Sequence, residues 1–154
     1  MNVKSVVGLL LLLVPLVMSG CGGGAGGGSA TTVVVKVASA GTLPADTKIG
    51  GILANVIVNP STGLSITGDD IAATSAGAAS TLQSNTANSG DVVIGLINAN
   101  GIQTGEFATL TYHITAGAAP AAANFSIAAG ASIIDVNGTV VPDIAVVIQS
   151  VTIQ

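Results

Sequence analysis

The sequence predicts an all-β domain, an antiparallel two-sheet sandwich, behind an N-terminal signal peptide. Three observations carry this expectation. Past residue 20 the apolar stretches are short and are cut by Gly, Asn, Asp and Ser. That is the rhythm of buried strands, not of membrane spans. Turn signals recur at the spacing typical of sandwich folds. Val and Ile dominate the apolar residues while aromatics make up only 2%, and branched aliphatics fit pleated surfaces. Parallel βαβ units need amphipathic helices between strands, and no convincing helix of any length appears in the sequence.

Taken in order, Thr32–Val37 is a first strand and Gly41–Asp46 a connection. Ile49–Val58 is a second strand, in which Gly50 and Gly51 signal a bulge or a close backbone approach. Asn59–Gly63 is a turn by composition, and Leu64–Thr67 resumes extended chain. Asp69–Ala79 is either one helical turn or a loop. Thr81–Gly90 is polar and small, the composition of a long loop. Asp91–Asn98 is a strong strand, and Asn100-Gly101 suits a type I′ hairpin after it. Glu106–Thr115 alternates, with Phe107, Thr109, Thr111 and His113 on one face and Ala108, Leu110, Tyr112 and Ile114 on the other. Asn124–Ala128 and Ser132–Val136 are short strands. Asn137-Gly138 marks a second hairpin, Thr139–Val141 is short, and Ile144–Ile153 closes the domain. The count is about nine strands, as in a sandwich or jelly roll.

The N-terminus follows a different logic. Lys4 precedes an apolar run from Val6 to Val17, and Met18-Ser19-Gly20 leads into Cys21, the sole cysteine. A run of about a dozen apolar residues falls short of the roughly 20 that cross a bilayer and matches a cleaved signal. One thiol cannot form a disulfide within the chain. The layout resembles the lipobox of bacterial lipoproteins, with Met18 where that family prefers Leu. The resemblance implies cleavage before Cys21, a diacylglyceryl group on its sulfur, and an acylated amine. Gly22 in place of Asp points to the outer membrane of a Gram-negative envelope. The expected layout is a signal peptide over residues 1–20, a Gly-rich tether over 21–31, and a sandwich domain over 32–154. Gly-rich chain behaves as flexible coil, and the 134 residues left after cleavage suffice for one domain.

Charge excludes some functions. After Lys4 the chain has two lysines against seven carboxylates, a net of about −5. Nucleic-acid binding needs a basic stripe, and an acidic surface is also repelled by anionic lipid heads.

Catalytic and metal chemistry find little support. His113, the only histidine, sits mid-strand among threonines and is assigned a structural or surface role. No catalytic residue is assigned, and no metal site. One His and one acylated Cys do not make a zinc site. Calcium takes oxygen ligands, with Asp69-Asp70 or Asp135, Asn137 and Asp143 as candidates. The full calcium-loop pattern is absent, and a tight turn explains Asp135–Gly138 more simply. No cofactor is expected beyond the lipid on Cys21. Sugar-binding sandwiches stack their ligand on exposed rings, and the one tyrosine, Tyr112, shares the inward face of its strand.

The strand order and its punctuation resemble the cohesin family. Gly105, Ala108, Leu110, Tyr112 and Ile114 fill that family's G-x-x-A-x-L-x-F/Y-x-I/V strand. Val56–Pro60 looks like its Y-D/N-P turn, with Val58 in place of the aromatic. "DVNGTVVP" and "QSVTI" look like its last hairpin and closing strand. The resemblance implies a nine-stranded jelly-roll sandwich and non-catalytic binding of a protein partner, dockerin-like or another envelope component, through one sheet face. No local motif marks that face. The expected protein is therefore a lipid-anchored docking or assembly module of the cell envelope. The alternative is a sandwich that binds envelope or extracellular polysaccharide.

Overall fold

In the computed structural model residues 30–154 are described. The expected signal peptide over residues 1–20, Cys21 and the stretch that follows to residue 29 lie outside the described residues.

The domain contains ten strands: β1 (Thr32–Gly41), β2 (Ile49–Val58), β3 (Leu64–Ser65), β4 (Ile71–Ala73), β5 (Thr81–Asn88), β6 (Asp91–Ile102), β7 (Gly105–Ile114), β8 (Phe125–Ile127), β9 (Ser132–Asp135) and β10 (Ile144–Ile153). They form two five-stranded antiparallel sheets. In the first, β10, β1 and β7 run side by side, with β3 and β4 both on the free side of β7. In the second, β5, β6 and β2 run side by side, with β8 and β9 both on the free side of β2.

Alternation builds the core. Successive side chains on a strand point to opposite faces. The first sheet turns Val33, Val35, Val37, Leu110 and Tyr112 inward, and none of them is solvent-accessible. The second turns Ile52, Ala54, Val56, Val92, Ile94 and Leu96 inward, each almost fully buried. Burying one such aliphatic side chain contributes about 1.5–3 kcal/mol. The ring of Phe125 meets Tyr112 edge-on, with centroids 5.4 Å apart and planes at 68°, a favoured arrangement of aromatic pairs.

Several expectations are corrected. There are ten strands, not nine. Thr81–Asn88, expected as loop, pairs with β6 from Thr81↔Ile97 to Asn88↔Asp91. It is an edge strand, so it needs few apolar residues. Only Leu82 and Thr86 are shielded, and the other six residues are exposed. Asn98–Gly101, expected as a hairpin turn, lies within β6. Between the pairs Gly51↔Ile97 and Ile49↔Ile102, β2 advances two residues while β6 advances five. The excess is absorbed as a bulge, in which Gly101 adopts φ +69°. The buried Asn98 ties this bulge down. Its Nδ2 donates to the Ser80 Oγ at 3.0 Å, and its Oδ1 accepts from the Asn100 N–H at 3.0 Å. Asp69–Ala79 contains two 3-10 turns, Gly68–Asp70 and Ser75–Gly77, on either side of β4.

Phe107 is also corrected. Strict alternation would turn it outward, yet it is buried, as is Ala108. The register of β1 against β7 shifts between Val37↔Ala108 and Ala38↔Glu106. Phe107 is the extra residue, and the local twist of a bulge redirects its ring into the core. At Gly50 the expected close approach is present. A Cβ there would lie 2.5 Å from the Asp135 carbonyl oxygen, and β2 carries a register shift at the same point.

The core account makes a direct prediction. Ile94→Ala leaves a void between the sheets and is expected to lower unfolding stability by about 2–5 kcal/mol in chemical denaturation.

Candidate interaction face

The two sheets differ on their outward sides. The outer side of the β10-β1-β7 sheet is polar and tied together. Lys36 on β1 donates to Glu106 Oε2 at 3.0 Å. The other oxygen of Glu106 accepts from the Thr74 hydroxyl at 2.7 Å and the Thr109 hydroxyl at 3.2 Å. The Thr74 hydroxyl and then Lys36 hold the Glu106 carboxyl below its usual range. Further along β7, His113 Nε2 lies 2.9 Å from Asp70 Oδ1. The Thr67 N–H and hydroxyl both donate to Asp70 Oδ2, at 2.8 and 2.7 Å. Asp70 is consequently held below its ordinary value, first by the Thr67 hydroxyl and then by His113.

His113 thus has a carboxylate beside it, which sequence reasoning did not foresee because Asp70 is 43 residues away. Among the described residues no hydroxyl or thiol hydrogen-bonds the other ring nitrogen, so the pair clips the Gly68–Asp70 turn to β7. Two of the calcium candidates, Asp70 and Asp135, are engaged elsewhere. Both oxygens of Asp70 are taken, and Asp135 Oδ1 accepts from the N–H groups of Asn137 and Thr139, each at 2.8 Å. Asp135–Gly138 is a tight turn. Among the described residues no group of three potential metal ligands comes together, Asp143 included.

The outer side of the β5-β6-β2 sheet is different. Register places Thr81, Ile97, Gly51 and Ile134 in one row across β5, β6, β2 and β9. Gln83, Gly95, Leu53 and Ser132 form the next row. Val140 extends the first row by pairing with Ile134. Five large apolar side chains are exposed among the described residues: Leu53 (53%), Ile97 (67%), Val136 (47%), Val140 (68%) and Ile153 (40%). Register puts Leu53, Ile97 and Val140 on this side. Leu53, Ile97 and Ile134 line an open depression of about 370 Å³, whose floor lies low because Gly95 has no side chain. Scattered exposed aliphatics need no explanation, but a clustered set with a polar border marks an interaction surface. Amide and hydroxyl groups from Thr81, Gln83 and Ser132 supply that border.

The face sits far from the start of the domain. Thr31 and Thr32 donate to the Gln154 carbonyl at 2.8 and 2.9 Å, and the Ile114 N–H donates to Thr31. The chain therefore enters where β7 and β10 end. The β2 end on that side is Val58, bonded to Gly90. Gly51 is seven residues further along β2, roughly 20 Å at the rise of a strand.

All three aromatic rings are core residues, with Tyr112 at 0%, Phe107 at 1% and Phe125 at 7% exposure. No ring platform for a sugar stands on this surface. Burial pushes the Tyr112 hydroxyl well above the usual tyrosine range, and that hydroxyl has no hydrogen-bond partner.

No protein-family model matches the sequence, and no curated protein matches it. Solved structures share the fold. A non-cellulosomal cohesin from the hyperthermophilic archaeon Archaeoglobus fulgidus is 18% identical over 73% of each chain, with a TM-score of 0.55. The sixth cohesin of scaffoldin B from Acetivibrio cellulolyticus, solved in complex with a mutant Cel5 dockerin, is 21% identical. It covers 73% of this chain and 82% of its own, also with a TM-score of 0.55. The expected cohesin-like sandwich is the observed fold.

Replacing Asp70 tests the clip on the polar sheet. A carboxylate whose folded pKa is depressed adds stability above its unfolded value of 3.8 and loses it as pH falls through the folded value. Asp70→Asn should unfold at a lower temperature than the parent at pH 7. The difference should close below about pH 4, as read by thermal melts across pH.

Proposed function

We propose that the chain is a non-catalytic docking module of the cell envelope, which binds a protein partner through the apolar outer face of the β5-β6-β2 sheet. The observation that carries this reading is the convergence of exposed Leu53, Ile97 and Val140 on one sheet side. Flat, apolar, polar-rimmed surfaces of this kind suit a protein partner. The cohesin-like fold supports it, since one structural neighbour is described in complex with a dockerin. A dockerin-like segment is therefore the first partner class to test.

Attachment is the second half of the proposal. Lipid on Cys21 would hold the protein at the envelope, at its outer membrane, and more than one acyl chain makes such anchoring stable. Residues 21–31 would serve as the leash. With the domain entered at its Thr32 end, the apolar face is presented away from the anchor. Tethering raises the effective concentration of the domain for partners on the same surface.

The test uses the full chain with a C-terminal tag, captured from detergent-solubilised host envelope. A single protein partner should be recovered near stoichiometrically. It should be lost with Leu53→Ser plus Ile97→Ser and kept with Val34→Ser on the opposite sheet. Because Leu53 and Ile97 are exposed, the double variant should retain its circular dichroism and melting temperature. Recovery of polysaccharide alone would replace docking with the carbohydrate reading, and recovery of nothing would end it. Cys21→Ser should abolish the added lipid mass and leave the precursor uncleaved, both read by intact-mass spectrometry of the detergent-extracted chain.

A further inference from the structure

We propose that the open edge of β5 is a second recognition element, one that accepts an extended, lysine- or arginine-bearing segment of a partner protein as an added strand. This goes beyond docking on the apolar face, because it uses main chain at the margin of the sheet, and the two can fail separately.

The edge is unfilled. On one side β5 pairs with β6 in a regular ladder from Thr81↔Ile97 to Asn85↔Val93. On the other side no described protein group hydrogen-bonds the main chain of residues 81–86. Every second peptide group of an edge strand points outward, so this stretch offers unpaired N–H and C=O groups to water. The other margins are shorter or covered. β3, β4, β8 and β9 have two to four residues each, and β10 packs against β8 and β9 of the facing sheet more extensively than β5 packs against β4 and the Gly68–Asp70 turn.

The edge sequence also lacks guards of its own. Exposed edges are usually blunted by lysine, proline or inward charges. The β5 sequence TLQSNTAN has no proline and no charge. Its one interruption is the register shift after Asn85, which leaves Thr81–Asn85 straight enough to pair.

The surrounding charge selects the partner. The Gly68–Asp70 turn lies against the middle of β5, where a Cβ on Gly68 would be 3.7 Å from the Ser84 Oγ. That turn carries Asp69, which is exposed, and Asp70. Asp91 stands at the far end of the ladder, opposite Asn88. No lysine occurs on β4, β5, β6 or this turn. Lys36 is engaged by Glu106, and Lys48 lies beside Leu43, Asp46 and Gln103. Among the described residues the only positive group facing the turn is His113 when protonated, and it pairs with Asp70. An approaching strand therefore meets carboxylates on both flanks. A second copy of this acidic chain is repelled there, whereas a basic segment is attracted and held in register. Main-chain pairing gives such added strands affinity, and flanking side chains give specificity.

The test is hydrogen exchange by mass spectrometry on the full chain in detergent. The probe is a capped decapeptide of alternating lysine and valine. The proposal expects exchange across residues 81–88 to slow several-fold with this peptide. It should be unaffected by a lysine–proline peptide of equal charge, which cannot pair as a strand, or by a glutamate–valine peptide. Asp69→Asn with Asp91→Asn should weaken the effect several-fold, and Ser84→Lys, at an exposed position, should remove it. The Leu53→Ser and Ile97→Ser double variant should leave it intact. No slowing at 81–88, or equal slowing by the lysine–proline or glutamate peptide, would overturn the proposal.

Discussion

Each sheet of a sandwich has one side that the core can cover, and strand alternation decides which residues take it. In β2 and β6 that constraint meets an unusual sequence. IGGILANVIV and DVVIGLINANGI are apolar at both parities. One parity, Ile52, Ala54, Val56, Val92, Ile94 and Leu96, fills the core. The other, Leu53, Ile57, Val93 and Ile97, has no core to enter. A one-residue slip would exchange the two sets, but Gly50 and Gly51, fitted against β9, hold β2 in place. The apolar outer face is thus a surplus of the sequence over what folding requires.

The charges respect the same division. The ion pairs among the described residues lie on the opposite sheet, where Lys36, Glu106, Thr74 and Thr109 form one cluster and His113, Asp70 and Thr67 another. These fasten the short strand β4 and the turn before it to β7. Exposed ion pairs contribute little to stability, so their effect is to position the margin of that sheet. The result is a molecule with one polar, internally satisfied side and one aliphatic side with almost no charge. An aliphatic side free of charge can be desolvated at small cost, which suits it for contact.

Much of this architecture was legible beforehand. The alternation of Glu106–Thr115 marked β7, and its inward Leu110 and Tyr112 are core residues. The Gly50-Gly51 pair announced a close approach that is present. The cohesin-like resemblance, resting on Gly105 to Ile114 and the Asp135 turn, agreed with the fold found. What escaped has physical causes. β5 looked like loop because an edge strand with one shielded side survives on Leu82 and Thr86 alone. Asn100-Gly101 looked like a hairpin because bulges and tight turns call for the same left-handed glycine. Phe107 escaped because a bulge breaks the period of two. The candidate face escaped for the opposite reason. A continuous apolar run resembles a strand covered on both sides, and nothing local in ILANVIV distinguishes a covered residue from an exposed one. The pairing of His113 with Asp70 depends on tertiary contact.

The central claim is that this surplus apolar side is what a partner covers. Hydroxyl-radical footprinting of the full chain, in its own envelope membranes and after purification, tests it most directly, since Leu, Ile and Val side chains are labelled where water reaches them. The account predicts that Leu53, Ile97 and Val140 are labelled in the purified chain and protected in the envelope, while Val34 and His113 on the other sheet change little. Protection of the other sheet, with Leu53 and Ile97 labelled equally in both states, would contradict it.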